Sequence, residues 1–284
     1  MLALGAAAAL AVLSACAPED EATPDPTVSA SGDACAKDQL PTLEPGRLTI
    51  ATDNPAYPPW FVDNDPANGQ GFEGAVAYAV AEQLGFTRDE VVWTSVTFNA
   101  AIAPGPKEFD FDINQFSITE ERAQAVDFSS PYYDVRQAVI ALADSPIADA
   151  ASLADLKQAK LGAQVGTTSY LTITDLVQPE VEPSVFNSND DAKAALENGT
   201  IDGLVVDLPT AFYMTAAEIE NSLIVGQFPA GTTGEQEQFG LVLDKDSPLT
   251  PCVSQAVDEL RADGTLAELE RQWLSQVADV PELS

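Results

Sequence analysis

The amino-acid sequence predicts an α/β protein with two lobes, and three features of the chain lead to that fold class. Short apolar strands alternate with amphipathic helices, which is the pattern of sheets covered by helices. The alternation occurs twice, on either side of a joint rich in Pro, Ala and Asp near residues 144–151. Two helical segments follow the second run and end the chain. We therefore expect the chain to return to the first lobe, with two crossings between the lobes.

The first run of the alternation contains four expected strands and two expected helices. One helix repeats apolar residues every three or four positions, and Gly85 ends it. The other starts at Thr119 with two acids in its first turn, where negative charge suits the helix dipole. The expected strands are 47–52, 91–96, 110–115 and 136–143, and the first helix is 73–84.

The second run repeats the pattern with four more expected strands, at 160–164, 184–187, 203–206 and 239–243. The expected helices open at 166–169 and at Asn189, cover 208–217, and close the chain near 248–263 and 265–277. These boundaries assign 35–136 and 238–284 to the first lobe and 137–237 to the second. Ligands of open α/β sheets bind beyond the carboxyl ends of strands, so we expect a site between the lobes.

The composition excludes several classes of function. With 12 basic and 45 acidic residues, the formal charge of −33 argues against a nucleic-acid partner. The chain has no histidine, which excludes His-dependent triads and zinc sites with a His ligand. Three cysteines are too few for a zinc site of four thiolates. No phosphate-binding glycine motif is present, so we expect neither a metal nor a cofactor.

The N-terminus indicates export. Residues 1–15 are apolar and uncharged, too short to span a bilayer, and typical of a signal peptide. Leu-Ser-Ala-Cys at 13–16 resembles the lipobox of bacterial lipoproteins, which implies a lipid on Cys16. Residues 16–34 are rich in Pro, Ser, Thr and acids and would form a disordered tether. We expect an extracytoplasmic, membrane-anchored monomer; the alternative is an ordinary secretory peptide in which the cysteine occurs by chance.

The remaining cysteines form an even pair. If Cys16 carries the lipid, Cys35 and Cys252 are left in an oxidising compartment, where a disulfide is favoured. Such a bond would tie the start of the folded part to its C-terminal segment. The alternative is two buried free thiols.

Six motifs in order along the chain carry a resemblance to a known family. Together they resemble the extracytoplasmic solute-binding proteins of amino-acid ABC transporters (family 3, type II periplasmic-binding fold), from Arg47 to Gln276. The motifs are LTIATDNPAYPPW at 48–60, GFEGAVAYAVAEQLGF at 71–86, SITEERAQAVDFSSPYY at 117–133, VGTTS at 165–169, NGTIDGLVVD at 198–207 and ADGTLAELERQW at 262–273.

The resemblance implies which residues bind an amino acid. Arg122 would clamp the α-carboxylate through two parallel N–H donors, and Asp207 would receive the α-amino group. The alternatives are a surface arginine paired with Glu120 or Glu121, and an N-cap at Asp207.

Further positions of the family pattern complete the expected site. Hydroxyl and backbone N–H groups for the two α-groups would come from Ser117, Thr167 and Thr168, whose alternative role is helix capping. The pocket for the ligand side chain would be lined by Asp53, Tyr57, Trp60 and Phe98. For Asp53 the alternative is an Asx turn, and for Trp60 and Phe98 it is core packing. Gln115 stands where the family has a small residue, so it could add a hydrogen bond or reduce the site.

The resemblance thus predicts a binding protein that delivers an amino acid to an ABC permease and is not an enzyme. The acidic charge and Asp53 favour a polar or basic amino acid. Two alternatives belong to other classes: a ligand-sensing ectodomain, and an enzyme of the same fold such as a cyclohexadienyl dehydratase. The enzyme would need an additional acid in the cleft, and the sequence singles out none.

Overall fold

The computed structural model describes residues 35–229, 236–274 and 280–284. The strands in these ranges are β1 (Leu48–Thr52), β2 (Val91–Ser95), β3 (Phe111–Asp112), β4 (Asp127–Phe128), β5 (Tyr133–Val135), β6 (Gln137–Leu142), β7 (Leu161–Gln164), β8 (Ser184–Phe186), β9 (Gly203–Asp207), β10 (Ser222–Gln227), β11 (Glu237–Phe239) and β12 (Val242–Leu243). The α-helices are α1 (Phe72–Gln83), α2 (Phe98–Ala101), α3 (Thr168–Leu171), α4 (Asn189–Glu197), α5 (Leu208–Tyr213), α6 (Thr250–Ala262) and α7 (Thr265–Trp273). The α/β class and the two lobes are confirmed.

Lobe 1 is built on a five-stranded sheet with the order β2-β1-β3-β12-β4. β1 runs parallel to β2 and β3, and β12 runs antiparallel to β3 and β4. Helix α1 buries Phe72, Val76 and Val80 in the main core of this lobe, together with residues of α6 and α7. The helix can pack closely because most of its other buried positions are Gly or Ala.

Lobe 2 is built on a second five-stranded sheet with the order β10-β6-β9-β7-β8. β7 is parallel to β8 and β9, whereas β6 is antiparallel to β9 and β10. Separate apolar clusters cover the two faces of this sheet. β10 was not expected, because its apolar run is only Leu223–Val225 and Gly226 follows at once.

A two-stranded ribbon of β5 and β11 carries the chain between the lobes. The strand expected at 239–243 is therefore divided between this ribbon and the lobe 1 sheet. Two further boundaries differ from expectation. The strand expected at 110–115 is only Phe111–Asp112, and Gln115 beyond it adopts a left-handed backbone conformation with φ of 50°. The helix expected from Thr119 is only a 3₁₀ turn, Arg122–Gln124, before β4 begins.

The C-terminal residues 280–284 lie on lobe 2. The Gln227 backbone N–H donates to the Pro281 carbonyl at 2.9 Å, and the Leu283 N–H donates to the Gln227 carbonyl at 2.9 Å. The Leu283 side chain is 1% exposed and joins a lobe 2 core cluster. Within the range 238–284 that was assigned to lobe 1, α6 and α7 do belong to that lobe. Residues 280–284 lie on lobe 2 instead, so the chain passes between the lobes a third time. Burial of the apolar Leu283 side chain stabilises the C-terminal tail on lobe 2.

The expected disulfide joins Cys35 to Cys252, at a sequence separation of 217. A loop of this length corresponds to about 5 kcal/mol of lost unfolded-state entropy in the chain-entropy description. No helix in the described ranges is long and apolar enough to cross a membrane. The signal peptide, Cys16 and the tether lie outside the described residues.

Candidate functional site

A cleft between the two lobes contains most of the predicted site residues. Its lining from lobe 1 is Asp53, Pro55, Tyr57, Phe98, Asn114, Gln115 and Arg122. Its lining from lobe 2 is Gln164, Thr167, Thr168, Ser169, Asn189, Val206, Asp207 and Thr210. Eight of the ten expected ligand residues therefore face one cavity, and the other two, Trp60 and Ser117, lie directly beside it.

Arg122 is held by one carbonyl from each lobe. Its Nη1 donates to the Ser117 carbonyl at 2.7 Å, and its Nη2 donates to the Gly166 carbonyl at 2.9 Å. The guanidinium lies over the Phe98 ring, 5.3 Å from the centroid. Burial lowers the pKa of Arg122. No carboxylate of the described residues forms an ion pair with it, so the expected alternative of pairing with Glu120 or Glu121 is not observed.

Asp207 ends β9 and faces the cleft from lobe 2. It stands at the N-cap position of α5, but its side chain makes no capping bond to the described residues of that helix. Its carboxylate instead accepts a hydrogen bond from Gln137 Nε2 at 2.6 Å. Burial raises the pKa of Asp207 to about 8, with a further contribution from the charge of Glu237. An incoming cation would stabilise the ionised form of this carboxylate.

The expected hydroxyl groups meet at the boundary between the lobes. Ser117 Oγ lies 3.2 Å from Thr168 Oγ1, so a lobe 1 hydroxyl and a lobe 2 hydroxyl are hydrogen-bonded. Thr167 has a capping role as well, since its hydroxyl accepts from the Tyr170 N–H and donates to the Gln164 carbonyl. Capping and lining of the cleft coexist at this residue.

Asp53 organises the lobe 1 side of the cavity. One carboxylate oxygen accepts from the Asn54 N–H at 2.7 Å. The Asx turn expected as the alternative is not formed, because it needs the N–H two residues on, and that residue is Pro55. The other oxygen accepts from the Phe98 N–H at 3.1 Å, at the start of α2. The same carboxylate lines the cleft, so its negative charge also faces the place where a ligand side chain would lie.

Two aromatic residues of the 53–60 loop make bonds to lobe 2. Tyr57 lines the cleft, and its hydroxyl donates to Asp190 at 2.8 Å; burial and this bond raise its pKa. Trp60 is 1% exposed, and its indole N–H donates to Thr210 Oγ1 at 2.9 Å. Trp60 packs in the aromatic core beneath the cleft and does not line the main cavity, which agrees with the alternative of core packing.

Gln115 lines the cleft and also binds a buried carboxylate of lobe 1. Its backbone N–H donates to Glu73 at 2.7 Å, and its side-chain amide donates to the same carboxylate. The Tyr132 hydroxyl donates to Glu73 as well. Glu73 is fully buried, and this burial raises its pKa to about 7. The sequence alone indicated nothing of this link between α1 and the cleft.

Two polar residues that the sequence did not single out join the site. Gln137 begins β6, and its buried amide contacts Asp207, Thr168 and Ser169. Glu237 begins β11, and its carboxylate accepts from Ser117 Oγ at 2.6 Å. A polar residue opening an apolar strand was the available signal for Gln137. No sequence pattern marks Glu237, because its position at the cleft depends on the pairing of β11 with β5 in the ribbon between the lobes, which is called the hinge ribbon below.

The cleft is closed in this structure. Hydrogen bonds cross between the lobes from Trp60 to Thr210, from Tyr57 to Asp190 and from Arg122 to the Gly166 carbonyl. Direct contacts on opposite rims of the cavity require the lobes to have approached each other. A ligand bound here would be enclosed by both lobes.

Comparison with known proteins assigns residues 48–276 to the bacterial extracellular solute-binding proteins, family 3. The chain belongs to this family. This solute-binding protein is 29% identical over 224 residues to the "Probable histidine-binding protein" of Campylobacter jejuni, covering 77% of this chain and 82% of the relative. It is 29% identical over 233 residues to the ABC transporter arginine-binding protein 1 of Escherichia coli, covering 78% and 88%.

A solved structure gives the same result for the fold. An ancestral arginine-binding protein bound to arginine is 30% identical to this solute-binding protein and superposes with a TM-score of 0.67. The match covers 80% of this chain and 98% of that protein. The type II periplasmic-binding fold therefore extends over nearly all of the described residues.

Proposed function

We propose that this protein captures an amino acid between its lobes and delivers it to an ABC permease. The observation that carries the proposal is the arrangement of Arg122 and Asp207. They face one cavity from opposite lobes, and neither forms an ion pair among the described residues. A buried guanidinium without a carboxylate partner is costly, and burial keeps Asp207 protonated below about pH 8, so the α-carboxylate and the α-ammonium of an amino acid would each supply a missing charge partner.

A polar or basic side chain suits the rest of the cavity. The lining includes Asp53 and the amide-bearing Asn114, Gln164 and Asn189, and Arg122 is the single basic residue among the described lining residues. A zwitterion would match Arg122 and Asp207, which leaves the charge of Asp53 for a cationic or amide group. The names of the arginine- and histidine-binding relatives support the same class of ligand.

The partner and the location follow from the family and the N-terminal sequence. The Escherichia coli relative is named for an ABC transporter, which supports a permease as the partner of this chain. The lipobox-like 13–16 supports a lipid on Cys16 that holds the protein at the membrane. Cys16→Ser is then expected to move the protein from the membrane fraction to the soluble fraction, and continued membrane association would contradict the anchor.

The binding proposal is tested by calorimetry and thermal shift with the twenty standard amino acids. Arg122→Ala should weaken the affinity for any amino acid that binds by about 100-fold or more, since a buried charge partner contributes several kcal/mol. Arg47→Ala is the matched control, because Arg47 is exposed and pairs only loosely with Glu44 at 3.9 Å. Equal affinity in the Arg122 variant and the wild type would reject the proposed pose.

A further inference from the structure

Glu237 and Asp207 share one hydrogen-bond donor. Gln137 Nε2 lies 2.6 Å from Asp207 Oδ1 and 3.2–3.3 Å from the two carboxylate oxygens of Glu237. The Glu237 carboxylate is also fixed by Ser117 Oγ at 2.6 Å. The hinge ribbon thus brings a second carboxylate to the end of the cleft at which Asp207 lies.

We propose that Glu237 is a specificity-determining residue for the cationic end of the ligand, adding a second negative charge to the subsite formed by Asp207. This inference rests on the proposed function, because it takes the ammonium group of an amino acid as the cation received there. Glu237 acts by its charge and through the Gln137 amide, so it positions and strengthens the subsite without itself needing to touch the ligand.

The charges around the pair leave the subsite with an excess of negative charge. Arg122 is the basic group that acts on Asp207, and Glu237 and Glu73 oppose it. Burial is the main cause of the pKa of about 8 for Asp207, and the charge of Glu237 on the same amide donor raises it further. The groups that face the pair from the packed elements are Arg122, Glu73, Tyr132 and Tyr133.

In this arrangement the ammonium group of the ligand takes the place of the proton on the Asp207 carboxylate. Below about pH 8 the empty subsite holds a proton on Asp207, and binding of the cation releases it. Affinity should therefore rise with pH by up to about tenfold per unit until that proton is gone. The 2-hydroxy acid analogue of the same ligand has no ammonium group and should not show this rise.

The test compares the purified wild type with Glu237→Gln by calorimetry with L-arginine between about pH 6 and about pH 8. Wild-type affinity should rise with pH. The variant should rise less steeply over this range, because burial still raises the pKa of Asp207 but the charge of Glu237 no longer adds to it, and it should bind about tenfold or more weakly at the upper pH. Glu237→Asp keeps the charge and should restore most of the pH slope. Glu182→Gln, an exposed acid of lobe 2, is the control for loss of one negative charge.

Three results would overturn the inference. Tighter binding by Glu237→Gln would show that Glu237 competes with the ligand carboxylate for Arg122 and Ser117. An unchanged pH slope would show that its charge does not act on the subsite, even if the affinity fell. If Glu237→Gln fails to fold, the inference is overturned when Glu237→Asp also lacks the slope. Absence of binding of every amino acid to the wild type would instead reject the proposed function, and the inference with it.

Discussion

Asp112 lies on β3 in the interior of lobe 1, and its carboxylate has no hydrogen-bond partner among the described residues. Burial raises its pKa well above the usual value, and the charges of Glu73 and Asp53 act in the same direction. The unfolded chain would ionise this group near pH 4. The native state therefore binds a proton that the unfolded state releases, and its stability falls as pH rises from about 4 towards the native pKa.

Asp112→Asn is expected to stabilise the protein increasingly as pH rises. Asparagine has almost the same shape and does not titrate, so the gain over wild type should grow by about 1.4 kcal/mol per pH unit above about pH 4. Urea unfolding at several pH values measures this difference. Asp89→Asn is the exposed control, and a gain that does not change with pH at position 112 would contradict the assignment of a buried neutral acid.

At the scale of elements, the loop between β7 and α3 approaches α2 across the cleft. Gly166 has φ of +77°, and a Cβ atom at this position would lie 2.5 Å from Asn99 Oδ1. The Gly166 carbonyl also accepts the cross-lobe bond from Arg122. Another residue at this position would be strained by the positive φ, and its Cβ atom would require the Asn99 side chain to move.

Gly166→Ala is expected to weaken amino-acid binding by about tenfold, because the added methyl group opposes closure of the lobes. Gly199→Ala is a matched control, since Gly199 has φ of +74° but a Cβ atom there would meet no atom of the described residues within 4 Å. Calorimetry on both variants separates backbone strain from obstruction. An equal loss of affinity in the two would contradict a role of this contact in closure, and Asn99→Ala should recover part of the loss in the Gly166 variant.

At the scale of the whole molecule, the formal charge of −33 is spread over a chain with few basic residues. Seven ion pairs occur in the described ranges, and most involve exposed side chains. Exposed pairs contribute little, so repulsion among the remaining acids opposes the compact state.

Sodium chloride is therefore expected to stabilise the protein. Raising its concentration from about 0.02 M to about 0.5 M shortens the screening length from tens of ångströms to a few, and the melting temperature should increase by several degrees. Potassium chloride should give the same increase if screening is the cause. A melting temperature that is independent of both salts would show that self-repulsion is not a significant part of the stability.

The alternation of strands and helices, the two lobes and the disulfide were predictable, because they depend on local periodicity and on the pairing of cysteines. The positions of Arg122 and Asp207 at the cleft were predictable from the family motifs that contain them. The boundaries of strands and helices were less predictable where tertiary contacts override the local pattern. Gln115 is an example, since its left-handed backbone is accompanied by bonds to Glu73. β10 was missed because its pairing with β6 stabilises it rather than its own short apolar run.

The sequence by itself determined the fold class, the acidic character and most of the cleft residues. These depend on local periodicity, on composition and on short motifs, each of which can be recognised without knowing the tertiary structure. Only the tertiary structure decided that Glu237 meets Asp207 through Gln137, that Trp60 packs beneath the cleft, and that the tail around Leu283 returns to lobe 2. These contacts join residues far apart in sequence. Their positions follow from the closure of two packed lobes, which no local pattern encodes.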